Sequence, residues 1–274
     1  MPPQDAKAAL AEVKALTFDV FGTVVDWRTT VTAELQAAAA EKLRSAAFAA
    51  LPADLQARAR AATPEDWAAF AQAWRQSYTD FVQGFVAGQT PWKDVDAHHH
   101  DSLLGLLAAR GLAGLYAPAE ARALSLVWHR LAPWPDSAPG LALLGRAGLV
   151  TCALSNGNRS LLADLEAHGA LGFRRLLSAE DFGAYKPDPS VYRGAAERLG
   201  FAPPGGMGRV AMVAAHLGDL RAARAQGMRT VYVERALEEA WGPEEREAAR
   251  DWVDLWIPLE EDGFVELARR LGVA

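Results

Sequence analysis

Hydrophobic and polar residues follow two different patterns along this chain. Residues 14–23, Lys-Ala-Leu-Thr-Phe-Asp-Val-Phe-Gly-Thr, open with a short apolar run rich in β-forming residues and then reach an acid and a glycine. That order predicts a buried strand that ends in a loop. From about 30 to 130 the apolar positions instead recur at spacings of three and four, which predicts helices almost throughout.

One helix within this stretch has a clear beginning. Thr63 precedes Pro64 and two acids, the pattern of an N-cap followed by the first helical turn. The helix that follows has aromatic residues at helical spacing on one face: Trp67, Phe70, Trp74, Tyr78 and Phe81. We expect the tryptophans of this face to pack inside the helical segment.

After residue 131 the pattern changes to short apolar strands that alternate with amphipathic helices. Predicted strands lie at 148–154, 175–178, 209–214, 230–233 and 252–257. Predicted helices lie at 141–147, 159–168 (ended by Gly169), 190–199, 220–226 and 263–271. This alternation predicts a parallel sheet covered by helices on both faces. The predicted fold class is therefore α/β, with a Rossmann-like parallel-sheet core (1–29 and 131–274) and an inserted all-helical domain (30–130).

Composition narrows the function classes. The 274 residues are 51% hydrophobic and carry a formal net charge of −6, without a basic stripe. We therefore expect no nucleic acid and no membrane as partner. The single cysteine, Cys152, excludes an internal disulfide and a thiolate metal cluster. Residues 1–14 carry charges where a signal peptide needs an apolar run, so the expected location is cytoplasmic.

Polar side chains cluster where the predicted strands end. They are Asp19, Ser155, Asn156, Lys186, His216 and Asp219. In an open parallel sheet, ligands bind beyond the carboxyl ends of the strands. Any one of these residues alone would be read as a helix cap or a solvated loop residue, but together they indicate a site.

These clusters resemble the motifs of the haloacid dehalogenase superfamily. The four motifs stand here as Asp19-Val-Phe-Gly-Thr23, Leu154-Ser-Asn156, Tyr185-Lys-Pro-Asp188 and Ala214-Ala-His-Leu-Gly-Asp219. The resemblance spans the whole chain and places the helical segment where that family has its cap. It therefore implies a hydrolase whose site lies at the carboxyl edge of the sheet, with the cap above it.

Two positions separate this chain from the phosphatases of that superfamily. A phosphatase needs a second acid two residues after the nucleophile to protonate its leaving group, and that position is Phe21. It also needs a carboxylate four residues before the last acid to help hold Mg²⁺, and that position is Ala215. Displacement at carbon requires neither, because a halide leaves without a proton. The motifs accordingly resemble those of the metal-free type II (S)-2-haloacid dehalogenases.

That resemblance implies roles for the motif residues. Asp19 would attack the halogen-bearing carbon, Lys186 would keep it ionised, and Asp219 would position or activate the water that hydrolyses the ester. Thr23 would orient Asp19, and the apolar ring of Phe21 would shape the pocket. No metal and no cofactor is expected.

Substrate binding is assigned by the same resemblance. Trp74-Arg75-Gln76 matches a cap stretch in which the Arg reaches the halide or the substrate carboxylate. Further candidates for contact with substrate are Ser155, Asn156 and Tyr192, the last through support of Lys186. Asp188 is expected to cap or brace its own loop. The expected partner is a small haloacid, and the family resemblance also allows a homodimer.

The fourth motif departs from well-known members of that family. They have Ser-Ser-Asn and then a Trp before the final Asp, whereas this chain has Ala214, His216 and Gly218. His216 is a larger and potentially cationic donor compared with Asn. We hypothesise that it suits a small, hard halide, so that fluoroacetate is accepted as well as chloroacetate. The alternative is that His216 only shapes the pocket.

Two other functions remain open at this point. One is a Mg²⁺-dependent small-molecule phosphatase of the same superfamily, against which Phe21 and Ala215 count. The other is a catalytically silent protein that keeps the fold. A metal site at the run of histidines 98–100 is not expected, because consecutive helical residues point in different directions. That run is predicted to be a solvated helix end.

Overall fold

The computed structural model describes residues 8–273, and within them it confirms an α/β core interrupted by a helical insertion. Two compact units are present. One comprises the chain up to Asp26 and from Ala132 onward, and the other spans Trp27–Leu131. The expectation that no signal peptide is present depends largely on residues 1–7, which lie outside the described range. No helix within 8–273 is both long and apolar enough to cross a membrane.

The α/β unit is built on a six-stranded parallel sheet in the order β5-β4-β1-β6-β7-β8. Its strands are β1 (Ala15–Phe18), β4 (Val150–Ser155), β5 (Arg175–Ser178), β6 (Val210–Ala214), β7 (Arg229–Val233) and β8 (Leu255–Ile257). β1 lies at the centre, where Ala15 pairs with Val150 on one side and with Val210 on the other. The first strand of the chain is therefore enclosed by strands that come much later in the sequence.

Helices cover both faces of this sheet, as the alternating pattern predicts. They are α7 (Ser137–Arg146), α8 (Arg159–Gly169), α9 (Pro189–Arg198), α10 (Leu217–Ala225), α11 (Pro243–Ala249) and α12 (Gly263–Arg270). On one face Ala15 and Cys152 join a buried cluster with residues of α9 and α10. On the opposite face the ring of Phe18 lies 5.0 Å from that of Phe264 in α12. All four residues of β1 are buried.

A two-residue antiparallel ribbon joins the points where the insertion leaves and re-enters this unit. β2 (Val25–Asp26) pairs with β3 (Ala132–Pro133). Trp134 reinforces the ribbon, because its main-chain amide donates to the carbonyl oxygen of Val24 and its indole Nε1 donates to that of Gly22. The helical insertion therefore starts and ends at one fixed place in the α/β unit.

The helical unit contains α1 (Trp27–Arg44), α2 (Ala46–Ala49), α3 (Ala53–Ala61), α4 (Pro64–Gln83), α5 (Val95–Ala109), α6 (Pro118–Ser125) and a 3₁₀ turn (Leu126–Arg130). The capping box that starts α4 is formed as predicted: Asp66 N donates to Thr63 Oγ1, and Thr63 N donates to the Asp66 carboxylate. Four of the five aromatic residues on the predicted face are buried, and Phe81 is half-buried against His98.

The predicted solvated helix end at residues 98–100 is wrong. His99 is buried and stacks on Trp128, with the ring centroids 4.4 Å apart. Trp74 donates from Nε1 to the main-chain oxygen of His99, which fixes the helix in this core. Burial lowers the pKa of His98 to about 4 and holds that of His99 well below its ordinary value. His98 and His99 therefore pack within the helical unit as neutral side chains.

Candidate active site

Asp19 follows β1 directly and lies buried at the carboxyl edge of the sheet. Its Oδ1 is 2.9 Å from Lys186 Nζ. Its Oδ2 accepts a hydrogen bond from Thr23 Oγ1 at 2.8 Å and lies 3.1 Å from His216 Nδ1. The central position of β1 brings these partners to Asp19 from elements on both sides, as expected where parallel strands end.

Lys186 is itself held from two directions. Its Nζ also binds Asp219 Oδ2 at 2.5 Å, so one buried cation lies between two carboxylates. Asn156 fixes the main chain of this lysine: Lys186 N donates to Asn156 Oδ1 at 2.7 Å, and Asn156 Nδ2 donates to Lys186 O at 3.2 Å. Asn156 therefore positions the lysine through both halves of its amide, a role that the sequence did not indicate.

Both carboxylate oxygens of Asp219 are occupied. One binds Lys186, and the other accepts a hydrogen bond from Tyr192 Oη at 2.6 Å. Tyr192 thus supports Lys186 through Asp219 and not by direct contact. Burial together with the neighbouring carboxylate raises the pKa of Tyr192, which keeps its hydroxyl as a donor.

His216 stands immediately before α10 and contacts carboxylates at both ring nitrogens. Nδ1 faces Asp19, and Nε2 is 3.3 Å from Glu238 Oε2. Glu238 lies in the loop after β7, and its side chain is only 4% exposed. Sequence reasoning missed this residue because no motif marks that loop.

The contacts set the charges of this cluster. Burial alone would raise the pKa of Asp19, but the cation of Lys186 and the hydrogen bond from His216 hold it well below the usual range. Burial alone would lower the pKa of Lys186, but Asp19 and Asp219 raise it. The pKa of His216, which burial would also lower, is raised to about 9 by Asp19 and Glu238. At neutral pH the cluster therefore presents an ionised Asp19 between two cations.

Thr23 connects the loop that follows Asp19 to the end of β6. Its hydroxyl donates to Asp19 and accepts a hydrogen bond from Ala215 N at 2.9 Å. The main chain of Thr23 is held by Arg235, whose Nε donates to Thr23 O at 3.1 Å. The guanidinium of Arg235 also forms a bidentate, buried ion pair with Asp136. Asp136 also accepts from Phe264 N at 2.7 Å. This buried support was not predicted, since its members come from three distant parts of the sequence.

The remaining candidates in the α/β unit lie in the loops around Asp19. Phe21 is buried, and its ring lies so close to Gly157 that a Cβ there would come within 3.1 Å of it. Ser155 ends β4, and its Oγ accepts from Gly157 N at 3.2 Å. Asp188 caps α9 by accepting from Ser190 N, as expected. Residues 156–158 form the loop before α8. The first residue of α8 is Arg159, so the main-chain amide of Asn156 is not part of that helix.

Arg75 and Gln76 belong to the helical unit, on α4. The guanidinium of Arg75 lies over the rings of Tyr78 and Trp27, 4.8 and 5.6 Å from their centroids. Gln76 is exposed and donates to Asp80 Oδ1 at 2.8 Å. Within residues 8–273, no three His, Cys, Asp or Glu side chains are grouped so that they could hold a metal ion.

A family model described as haloacid dehalogenase-like hydrolase matches residues 13–227. Among curated relatives, (S)-2-haloacid dehalogenase 1 from Pseudomonas sp. (strain CBS-3) is 34% identical over 110 residues, or 39% of this chain and 47% of that protein. (S)-2-haloacid dehalogenase 4A from Burkholderia cepacia is 35% identical over 41% of this chain and 48% of its own length. The chain thus spans about half the length of the curated relatives it matches.

Solved structures extend the similarity to nearly the whole chain. An L-2-haloacid dehalogenase is 36% identical with a TM-score of 0.75, covering 94% of this chain and 99% of that one. A defluorinating L-2-haloacid dehalogenase is 31% identical with a TM-score of 0.73, covering 95% of both chains. Among the curated relatives there is also a phosphatase. It is a phosphoserine phosphatase from Thermus thermophilus, 33% identical over 49% of this chain and 54% of that protein. From the family match over residues 13–227 and the similarity of the two dehalogenase structures over nearly the whole chain, the chain belongs to the haloacid dehalogenase-like hydrolase family.

Proposed function

We propose that this protein hydrolyses short 2-haloalkanoic acids to 2-hydroxy acids and halide through an ester on Asp19. The observation that carries the proposal is the buried contact between Asp19 and Lys186 Nζ at 2.9 Å. A lysine cation keeps the carboxylate ionised, and the neighbouring Phe21 and Ala215 supply neither a general acid nor a third carboxylate. These residues suit displacement of a leaving group that needs no proton.

The first step forms one bond and breaks one. A carboxylate oxygen of Asp19 attacks the carbon that bears the halogen, and the halide departs with the electron pair of the carbon–halogen bond. Attack from the side opposite the halide inverts the carbon. Thr23 fixes the orientation of Asp19, and burial removes water that would otherwise solvate the nucleophile. Water then hydrolyses the ester and restores the carboxylate.

Binding of the substrate is assigned to the residues that the family motifs mark. Arg75, aided by Gln76, would hold the halide or the carboxylate, because a guanidinium stays charged and offers several donors. Ser155 and the backbone amides near Asn156 would take the carboxylate end. Tyr192 would act through Asp219, in agreement with their hydrogen bond. The role of Arg75 remains a prediction to be tested by an Arg75→Lys variant.

Fluoroacetate is proposed as an additional substrate. One similar protein is a defluorinating L-2-haloacid dehalogenase, and the charged ring of His216 lies beside Asp19 here. Fluoride is small and strongly hydrated, so a positive charge close to the reacting carbon helps to replace its water shell. A fluoride electrode tests this extension: release of chloride but never of fluoride would reject it.

The test of the function as a whole is halide release from fluoro-, chloro- and bromoacetate and both 2-chloropropionate enantiomers, each with and without EDTA. We expect turnover of at least one haloacid, unaffected by EDTA. Asp19→Asn should abolish turnover, because an amide is no nucleophile for this step. If that variant kept full activity, the ester mechanism would be wrong.

A phosphatase is the competing activity, since one relative is a phosphoserine phosphatase. Hydrolysis of phosphate esters that needs Mg²⁺ and stops with EDTA, together with no halide release from any haloacid, would establish that activity instead.

A further inference from the structure

We propose that His216 and Glu238 form an acid–base pair that takes the proton from the hydrolytic water once Asp19 has become an ester. The proposal rests on the ester mechanism above and assigns its second half. His216 would be the catalytic base, and Glu238 would be a positioning residue that acts through it. Neither role follows from the motifs, in which Asp219 is the expected partner of the water.

The first support is the position of the imidazole ring between two carboxylates. Nδ1 is 3.1 Å from Asp19 Oδ2, and Nε2 is 3.3 Å from Glu238 Oε2. A histidine bound at one nitrogen by a carboxylate keeps its ring orientation and tautomer, and its other nitrogen is then directed at the reacting group. Here that other nitrogen faces the carboxyl group that carries the ester.

The second support is the way in which Glu238 is held. Its carboxylate packs so tightly on Gly22 of the nucleophile loop that a Cβ on Gly22 would lie 2.0 Å from Glu238 Oε2. Gly22 has φ +85°, which a glycine adopts readily. Leu237, the residue before Glu238, has φ +63° although it is not a glycine. The strained backbone of Leu237 is of a kind that persists where surrounding contacts demand it and is concentrated at functional sites. Glu238 is thus fixed to the loop that bears Asp19.

The third support is the change of charge during the reaction. In the free protein the ring lies between two anions, and its pKa of about 9 makes it a cation. Ester formation removes the charge of Asp19, and the ring keeps its contact with the carboxylate of Glu238. Lys186 Nζ lies between Asp19 and Asp219. Once Asp19 is uncharged, its anion no longer offsets the repulsion between the lysine cation and the His216 cation. Loss of the Asp19 charge therefore lowers the pKa of His216 from its value in the free protein, which favours release of the ring proton at the stage where a base is needed.

Asp219 is poorly suited to the same task. Both of its oxygens are already bound, one by Lys186 Nζ at 2.5 Å and the other by Tyr192 Oη at 2.6 Å. A carboxylate that accepts bonds from a cation and a hydroxyl is a weak base. Its contacts suit the positioning of Lys186 instead.

The protons balance over the cycle. His216 releases one proton to solvent after the ester forms. Water attacks the ester carbonyl carbon, gives one proton to His216 and keeps its other on the new hydroxyl group. The ester C–O bond breaks, and the departing alkoxide takes the proton from His216. Hydrolysis leaves Asp19 as a carboxylic acid, which gives its proton to His216 and becomes a carboxylate again. The net products of the cycle are therefore the hydroxy acid, the halide and one proton.

The experiment separates the two halves of the reaction with the full-length protein. Rapid-mixing halide release reports ester formation, and intact-protein mass spectrometry reports the covalent adduct. For His216→Gln and Glu238→Gln we expect a burst of about one halide per protein and then hydrolysis slowed about 100-fold or more, with the adduct on Asp19. Glu239→Gln is the matched control, because Glu239 accepts from Leu217 N and Trp241 N next to the same helix. It should leave the ratio of the two rates unchanged.

A pH profile distinguishes positioning from a merely structural role. In the wild type, single-turnover hydrolysis should rise with pH as His216 in the ester loses its proton. Removing the anion of Glu238 lowers the pKa of the ring, so in Glu238→Gln the midpoint of that rise should move to lower pH. A structural defect would lower the rate without moving the midpoint.

Two results would overturn the proposal. One is adduct accumulation in Asp219→Asn alone, while His216→Gln and Glu238→Gln hydrolyse the ester at the wild-type rate. The other is parallel loss of both steps in His216→Gln without any adduct. If the wild type releases no halide from any haloacid in its first turnover, the proposed function itself is wrong, and this inference is overturned with it.

Discussion

At the scale of single residues, Lys186 is the group on which the charge balance of the site depends. It is 7% exposed and is bound by two carboxylates, Asp19 and Asp219. Replacement by Met would leave these acids close together without their cation. Removing one partner of a buried ion pair costs about 3–5 kcal/mol, so Lys186→Met should lower the free energy of unfolding by that order.

Urea unfolding at neutral pH measures this loss. Lys93→Met is the matched control, since Lys93 forms a solvent-exposed pair with Asp101 at 2.7 Å. Exposed pairs contribute little, and we expect no measurable change there. A loss below about 1 kcal/mol for Lys186→Met would mean that the two carboxylates are accommodated without the cation.

His216 should make stability depend on pH in the alkaline range. Its pKa is raised from 6.5 to about 9 in the folded protein, against the effect of burial, by hydrogen bonds to Asp19 and Glu238. A raised pKa gives a stabilisation that is complete below the unfolded value and lost as pH rises through the folded one. The difference in unfolding free energy between wild type and His216→Gln should therefore shrink between pH 6.5 and 9, by roughly 3 kcal/mol at most.

Urea unfolding at several pH values measures that difference, with His168→Gln as the control at an exposed histidine. A difference that stayed constant from pH 6 to pH 10 would show that His216 is not a cation in the folded protein.

The site residues within the motifs could be predicted from the sequence, whereas the buried charged residues that hold them in place could not. Asp19, Thr23 and Lys186 stand at strand ends or in loops that the four motifs mark, and the structure brings them together. Glu238 and the buried pair of Arg235 and Asp136 are invisible to such reasoning, because an acid or an arginine in a loop is ordinarily solvated. Only the three-dimensional course of the chain shows that these charges are buried and paired.

At the scale of elements, the contact of α7 with α12 depends on a glycine. A Cβ at Gly140 would lie 2.3 Å from the Cβ and 2.5 Å from the carbonyl carbon of Phe264. Because backbone cannot yield as a flexible side chain does, Gly140→Ala should force the helices apart and lower the unfolding free energy by about 1–3 kcal/mol or more.

Gly145→Ala in the same helix is the control, because its Cβ would meet no atom within 4 Å. It should stabilise the protein by about 0.5–1 kcal/mol through helix propensity. Thermal or urea unfolding measures the stability of both variants. If both substitutions changed the unfolding free energy in the same direction, close packing at Gly140 would not explain the effect.

Element boundaries show where local pattern was insufficient. The predicted strand 175–178 has the bounds that the structure shows, and most other elements shift by a few residues. α11 (Pro243–Ala249) and the β2–β3 ribbon were not predicted, because both are too short to show a periodic pattern. Gly169 was expected to end α8, but it is the last helical residue, and Ala170 takes the left-handed conformation with φ +46°. A Cβ at Gly169 would crowd Leu171, so packing explains that glycine.

At the scale of the whole molecule, each of the two units has its own hydrophobic core. The chain passes into and out of the helical unit at the β2–β3 ribbon, so local unfolding of the helical unit leaves that pairing intact. Phe70 and Phe264 are both fully buried, one in each unit. We expect Phe70→Ala to increase hydrogen exchange chiefly within 27–131 and Phe264→Ala chiefly within the α/β unit.

Hydrogen-exchange mass spectrometry resolves the two ranges, and each variant is the control for the other. An equal loss of protection over the whole chain in Phe70→Ala would show that the units open together as one cooperative structure.

The place of β1 in the sheet also has a consequence for how the protein is made. Ala15 pairs with Val150 and with Val210, so the strand that precedes Asp19 leaves the ribosome long before either neighbour exists. Until β6 has been translated, this apolar segment has no complete set of partners, and pairing over such separations is slow. β1 is therefore the first strand of the sheet to be synthesised, but it gains its second neighbour only after β6 has been made, so the cluster around Asp19 cannot assemble until most of the chain exists.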